Sequence, residues 1–132
     1  MTAVGVIGSG TWGTALSLLL CKNGCQVTVW SAIEEEITEM KESRRHKNLP
    51  EVVLPDELLL TADLKEAMSE KDILVLAVPS VYIRATAARM REYIRYGQIV
   101  INVSKGIEES SLKTMSQVIE EELPEAEVAV LS

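Results

Sequence analysis

Apolar residues recur along this chain in two alternating rhythms. Residues 2–7 (TAVGVI), 26–30 (QVTVW), 72–78 (DILVLAV), 98–103 (QIVINV) and 127–131 (EVAVL) are short runs rich in Val and Ile, the mark of strands. The third and fourth are apolar almost throughout, as strands covered on both faces are. Residues 58–61 add a short further strand. Longer segments lie between. Residues 11–23 are apolar on most faces and read as a buried helix, with Gly24 as its left-handed C′ residue. In residues 32–43, Ile33, Ile37 and Met40 fall at helical steps along an otherwise charged segment. The stretch Asp63-Leu-Lys-Glu66 resembles a capping box that opens a short helix through Ser69. Residues 81–96 and 110–123 complete the helices, the last stopped by Pro124. Residues 44–54 are irregular and basic, and Pro50 and Pro55 break the pattern. Strands that alternate with helices predict an α/β fold, a doubly wound parallel sheet joined by right-handed crossovers. At 132 residues the chain is one domain, long enough to bury its own core.

The turn after the first strand reads Gly8-Ser9-Gly10-Thr11-Trp12-Gly13, a G-x-G-x-x-G. Alone the pattern is weak. Between a strand and a helix of one βαβ unit it is the dinucleotide-binding fingerprint of the Rossmann fold. Gly8 allows the tight turn, Gly10 lets backbone approach a pyrophosphate, and Gly13 lets helix and strand pack closely. The helix N-terminus adds unpaired amides and partial positive charge.

In such a fold a carboxylate about twenty residues on usually accepts from the adenosine ribose. Here the second strand runs into Trp30-Ser31-Ala32-Ile33, with no acid at its end. Ser31 can hydrogen-bond either a 2′-hydroxyl or a 2′-phosphate. Glu34, Glu35 and Glu36 read as solvated helix residues. Arg44-Arg45-His46-Lys47 reads as a solvated basic loop, with reach to a 2′-phosphate as its sharper alternative. NAD and NADP both remain open as cofactors. Two further strands should end beside the same crevice. One leads into Val78-Pro79-Ser80, where Ser80 can cap the next helix. The other leads into Ser104-Lys105-Gly106, where a lysine at a strand end can hold a phosphate or polarise a carbonyl.

Charge and composition narrow the function classes. The net charge is −7, and no basic face suggests nucleic acid or an anionic membrane. Glu120-Glu121-Glu122 reads as a solvated helix face. Cys21 and Cys25, with one His in the chain, make neither a zinc set nor a disulfide framework, so no metal is expected. No secretory leader or membrane-length apolar run is legible, which predicts a cytoplasmic protein.

GSGTWGTAL (residues 8–16), KNLP (47–50), AVPS (77–80) and SKGIE (104–108) together resemble the N-terminal domain of the bacterial NAD(P)-dependent glycerol-3-phosphate dehydrogenases. The resemblance covers the whole chain in order. It implies an oxidoreductase that interconverts glycerone phosphate and sn-glycerol 3-phosphate, a small-molecule substrate, in glycerophospholipid synthesis. It carries cofactor contact to Thr11 and Trp12, more loosely to Asn48, and contact with both cofactor and substrate to Lys105. With Gly8, Ser9, Gly10, Gly13, Ser31, Val78 and Pro79 these form the expected cofactor site. Family members often carry His or Arg after the second-strand Trp, where this chain has Ala32 and Ile33. The resemblance also implies a helical C-terminal domain holding the catalytic base, a lysine. Residues 1–132 are then a dinucleotide-binding domain, a fragment that binds cofactor without turnover, and a homodimer is compatible with the full-length enzyme. The alternatives are another reductase on the same fold, of the β-hydroxyacid or ketopantoate type, and a non-enzymatic NAD(H)-sensing module.

Overall fold

The computed structural model describes residues 1–131. Among them, β1 (Ala3–Ile7), β2 (Gln26–Trp30), β3 (Leu59–Thr61), β4 (Ile73–Leu76), β5 (Ile99–Asn102) and β6 (Glu127–Val130) form one sheet in the order β3-β2-β1-β4-β5-β6. Every neighbouring pair is parallel. The doubly wound sheet expected from the alternating pattern is therefore present. In register, Ile7 stands opposite both Trp30 and Leu76, and Leu76 opposite Asn102. Four strands thus release their chain at one level. Between β1 and β4 the winding reverses, and ligand crevices of such sheets open at that place.

Both faces of the sheet are covered. Val4, Val6, Val27, Val29 and Val75 point to the side of α1 (Thr11–Lys22) and α2 (Glu34–Ser43), where Ile37 and Met40 meet them. Ile7, Leu74, Leu76 and Val100 point to the side of α3 (Leu64–Met68), α4 (Ile83–Met90) and α5 (Met115–Glu122). Each such fully buried aliphatic side chain contributes about 1.5–3 kcal/mol. Aliphatic side chains dominate both layers in a chain without Phe, and Trp30 joins the layer on the α3–α5 side.

Three helices differ from the sequence expectation. The first, α1, is not a buried helix: its buried residues are Gly13, Thr14 and Ser17, while Leu19 is 54% exposed. Small residues face the sheet because the glycine turn brings this helix close, while Leu16, Leu18 and Leu20 pack half-buried at its flanks. Its C-terminus does follow expectation. Gly24 has φ +87, the Cys25 amide donates to Leu20 O and the Gly24 amide to Cys21 O, which is a Schellman motif. Residues 81–96 do not form one helix. A 3₁₀ turn at Ser80–Tyr82 precedes α4, and after Met90 the hydrogen bonds shorten to i→i+3 steps (Arg91 to Ala88, Tyr93 to Met90). Ser80 does not cap; Pro79 occupies that position, with no side-chain bond. Finally, α5 begins at Met115 rather than Ser110, because the segment before it closes on itself. The Glu108 amide donates to Lys113 O, the Leu112 amide donates to Glu108 O, and Leu112 sits at φ 61. The helix start is a capping box between Thr114 and Gln117. The box expected at Asp63 is only half formed: Asp63 accepts from the Lys65 amide, while Glu66 accepts from Thr61 Oγ1.

Candidate functional site

The glycine turn is assembled from close backbone contacts. Gly8 follows β1 at φ +132, and its amide donates to Trp30 O at 2.9 Å. A Cβ there would come within 2.7 Å of the Ala77 carbonyl after β4. A Cβ on Gly13 would come within 2.5 Å of Gly8 O. These two glycines are demanded by the protein's own packing. Gly10 is different. Its φ of −65 suits any residue, and a Cβ would meet nothing within 4 Å. The bare backbone there faces open space. No side chain caps α1, and no acidic residue lies in its first turn. By contrast Asp63 and Thr114 cap α3 and α5. The amides at the start of α1 therefore keep their capacity to bind an anion.

Beside this turn lies a crevice of about 520 Å³. Of the residues expected at a cofactor site, Gly8, Ser9, Gly10, Ser31, Val78 and Pro79 line it. They arrive from the exits of β1, β2 and β4. The outer wall was not foreseen: Tyr82, Thr86 and Arg89 project from one side of the 3₁₀ turn and α4. Their spacing of four and three residues is a helical face that the sequence does display. Arg89 lies over the Trp30 ring, its Cζ 5.2 Å from the centroid, and Trp30 Nε1 donates to Ala62 O at 3.1 Å. The buried indole is thus fixed beneath the guanidinium. Glu36 also lines the crevice, contrary to its expected place on a solvated face. Its Oε2 accepts from Ser31 Oγ at 3.2 Å, and Ser31 Oγ accepts from the Ile33 amide at 3.1 Å.

Gly13 lies under the turn. Thr11, Trp12, Asn48 and Lys105 do not line the crevice. Thr11 and Asn48 meet each other instead, Asn48 Nδ2 donating to Thr11 Oγ1 at 3.1 Å. Trp12 is 58% exposed on the first turn of α1. The basic segment at 44–47 is solvated at Arg45 and Lys47, as expected, but Arg44 and His46 turn inward. Arg44 donates to Pro55 O and Leu58 O, closing the loop that leads to β3. His46 is buried, with Nε2 2.8 Å from Ser9 O and Nδ1 accepting from the Asn48 amide. These partners require the neutral ring protonated on Nε2. The single histidine thus ties this segment to the glycine turn.

Lys105 follows β5 and is exposed, with no ion pair among the described residues. Its loop is held on both sides. Ser104 Oγ donates to Val78 O at 2.8 Å, joining the β5 exit to the β4 exit. Glu108 forms a fork with Arg84 of α4, Nε to Oε2 at 2.7 Å and Nη2 to Oε1 at 2.9 Å. Arg84 also reaches Glu121 and Glu122 of α5, so that helix face is paired rather than only solvated. The hydrogen bonds from Arg84, then from Ser111, hold the Glu108 carboxyl down to about 2. The same contacts push the guanidinium up. On the other face of the sheet, burial first, then Glu57 and Cys25, push the Cys21 thiol up.

Among the described residues no helix is long and apolar enough to cross a membrane. Comparison with known proteins agrees with the geometry. The chain is 52% identical over 132 residues to a glycerol-3-phosphate dehydrogenase [NAD(P)+] of Agathobacter rectalis, covering 99% of this chain and 39% of that protein. A relative of the same name from Fusobacterium nucleatum is 50% identical over 135 residues, covering 100% and 40%. The crystal structure of a glycerol-3-phosphate dehydrogenase from Coxiella burnetii superposes with a TM-score of 0.90 at 27% identity, covering 98% of this chain and 40% of that one. The chain thus spans about two-fifths of the length of the relatives it matches. Residues 3–132 match the family model described as NAD-dependent glycerol-3-phosphate dehydrogenase N-terminus, and the chain belongs to that family.

Proposed function

We propose that residues 1–132 form a dinucleotide-binding domain that holds NAD or NADP across the β1–β4 crevice. In a longer protein it would serve the interconversion of glycerone phosphate and sn-glycerol 3-phosphate. One observation carries the first part: Gly10 has no packing reason to lack a side chain, yet it leaves bare backbone beside an uncapped helix start. That cradle fits a pyrophosphate. The amides of Thr11 and Trp12 would meet it, with Ser9 on the turn before them. Val78, Pro79 and Ser31 would flank the adenosine. When bound, the cofactor supplies or takes up the hydride.

The substrate follows from family membership and from Lys105. A cation with no ion pair among the described residues, at the level where four strands end, suits a phosphorylated three-carbon ketone. It would pair with the phosphate or draw electron density from the carbonyl oxygen. The catalytic base is assigned to the part of the relatives' length that lies outside this match. This chain alone then binds cofactor and does not turn over. A cytoplasmic location and a homodimer of the longer enzyme belong to the same reading.

Calorimetric titration with NADH and NADPH tests the binding claim. Saturable binding to this chain is expected. The expected outcome for Gly10→Val is at most a small drop in the unfolding midpoint, about the 1 kcal/mol of a poorer N-cap, and loss of at least about tenfold in affinity, because a Cβ there meets nothing within 4 Å of the protein. Unchanged affinity would remove the assignment. Steady oxidation of NADH by this chain with glycerone phosphate would overturn the division of labour.

A further inference from the structure

The end of β2 lacks the carboxylate that usually receives the adenosine ribose, and Ser31, Ala32 and Ile33 stand there instead. The geometry points to Glu36 as its replacement, making this chain selective for NADH over NADPH; the assignment rests on the dinucleotide reading above. Glu36 lies in the first turn of α2 but reaches back toward the strand end. Its Oε2 sits 3.2 Å from Ser31 Oγ, the position from which a strand-end acid would project. It is the one carboxylate lining the crevice among the described residues, and it is half-buried, close to Ser9 and Gly10.

The hydrogen-bond inventory decides what this corner can bind. The Ser31 hydroxyl has one proton, and it goes to Glu36. Its oxygen already accepts from the Ile33 amide. Glu36 Oε1 has no partner among the described residues. The corner therefore offers acceptors. The 2′- and 3′-hydroxyls of a ribose are donors and fit. A 2′-phosphate has mainly acceptors and brings a charge of about −1.5 to −2. It would sit against Glu36, with Glu34 and Glu35 in the same helical turn. Three cations stand nearby and would oppose this preference. Arg45 donates to Pro50 O, Arg89 lies over Trp30 on the facing wall, and Lys47 lines an adjoining smaller crevice. None of them pairs with Glu36. A charged hydrogen bond gained by one cofactor, and a charge clash met by the other, separate the two by about tenfold or more.

Parallel titrations of this chain with NADH and NADPH, followed by calorimetry, test the assignment without any turnover. NADH is expected to bind at least about tenfold more tightly. Glu36→Gln keeps the side chain's shape, removes its charge and adds a donor; the ratio is expected to fall about tenfold, with NADPH affinity rising. Glu35→Gln removes the same charge from the exposed side of α2 and should leave the ratio within about twofold. Equal or tighter binding of NADPH by the unaltered chain overturns the role of Glu36 while leaving dinucleotide binding intact. So does an equal response of the ratio to Glu35→Gln and Glu36→Gln, which would indicate only the general field of the helix. Binding of neither cofactor overturns this assignment and the domain's proposed function together.

Discussion

Two loops flank the β4 exit, and they are held in place by different physics. The glycine turn between β1 and α1 is fixed by backbone packed on backbone: Gly8 against Ala77, Gly13 against Gly8. The loop carrying Lys105 is fixed by side chains reaching from other elements, above all the Arg84–Glu108 fork and the Ser104–Val78 hydrogen bond. The first arrangement tolerates no atom added at two positions, and its backbone contacts involve no ion pair. The second tolerates local change but depends on charge. A pyrophosphate needs main-chain amides at fixed positions, which steric packing supplies. A lysine that must meet a substrate needs reach, which a loop held by its flanks allows.

The comparison breaks most severely at Gly8. Its φ of +132 is strained for any side chain, and the added Cβ would sit 2.7 Å from main-chain atoms that cannot rotate away. Gly8→Ala is expected to lower stability by about 3–5 kcal/mol, measured by urea unfolding. A loss under about 1 kcal/mol would mean that the turn relaxes and the packing argument fails. Gly10→Ala is the sharp contrast two residues away, with no expected loss of stability.

A smaller effect is expected where the glycine turn is tied from outside. His46→Ala removes the group that meets Ser9 O and the Asn48 amide in a buried place. Leaving those two groups without partners should cost about 1–3 kcal/mol. Cofactor affinity should fall as well, because Ser9 and Thr11 both lose support from residues 46–48. A stability loss with affinity unchanged would show that the tie serves only the loop before β3.

These two levels of support explain what could be read in the sequence. The doubly wound parallel sheet, the glycine turn and the strand exits were legible because each follows from residue type at fixed local spacing. Short runs rich in Val and Ile, Gly at forced positions and the Schellman glycine after α1 all belong there. The start of α5 was also written locally, as Thr114-x-x-Gln117, and was obscured by the helix-forming look of residues 110–113. The rest depends on contacts that residue type and spacing do not display. Nothing adjacent to Glu36 indicates that Ser31 turns it into the crevice. His46 looks like one more member of a basic cluster until Ser9, thirty-seven residues away, comes beside it. Arg84 and Glu108 look like two surface charges, though α4 and the β5 exit bring them within 2.7 Å. Side-chain contacts made only in the folded chain decide these roles, and residue spacing alone does not encode them.

The charged fork allows the mildest test and the one most specific to its kind of support. The Glu108 carboxyl is held at about 2, below its ordinary value of 4.5. A group depressed in the folded state stabilises it fully above the ordinary value and ceases to do so as the pH falls through the folded one. The contribution of the fork is therefore present at neutral pH, declines below about 4.5 and is lost as the pH falls through about 2. Arg84→Met, which keeps much of the aliphatic stem and removes the charge, should lower the unfolding temperature modestly at pH 7, since the partners are partly exposed to solvent. The gap between variant and unaltered chain should then narrow steadily from pH 5 to pH 2, and high salt should narrow it at pH 7. Amide hydrogen exchange should place the loss of protection in residues 104–114, with the glycine turn unaffected. A gap that stays constant with pH would mean that Arg84 acts through the packing of its stem against α5. The Lys105 loop would then be held as the glycine turn is, by shape rather than by charge.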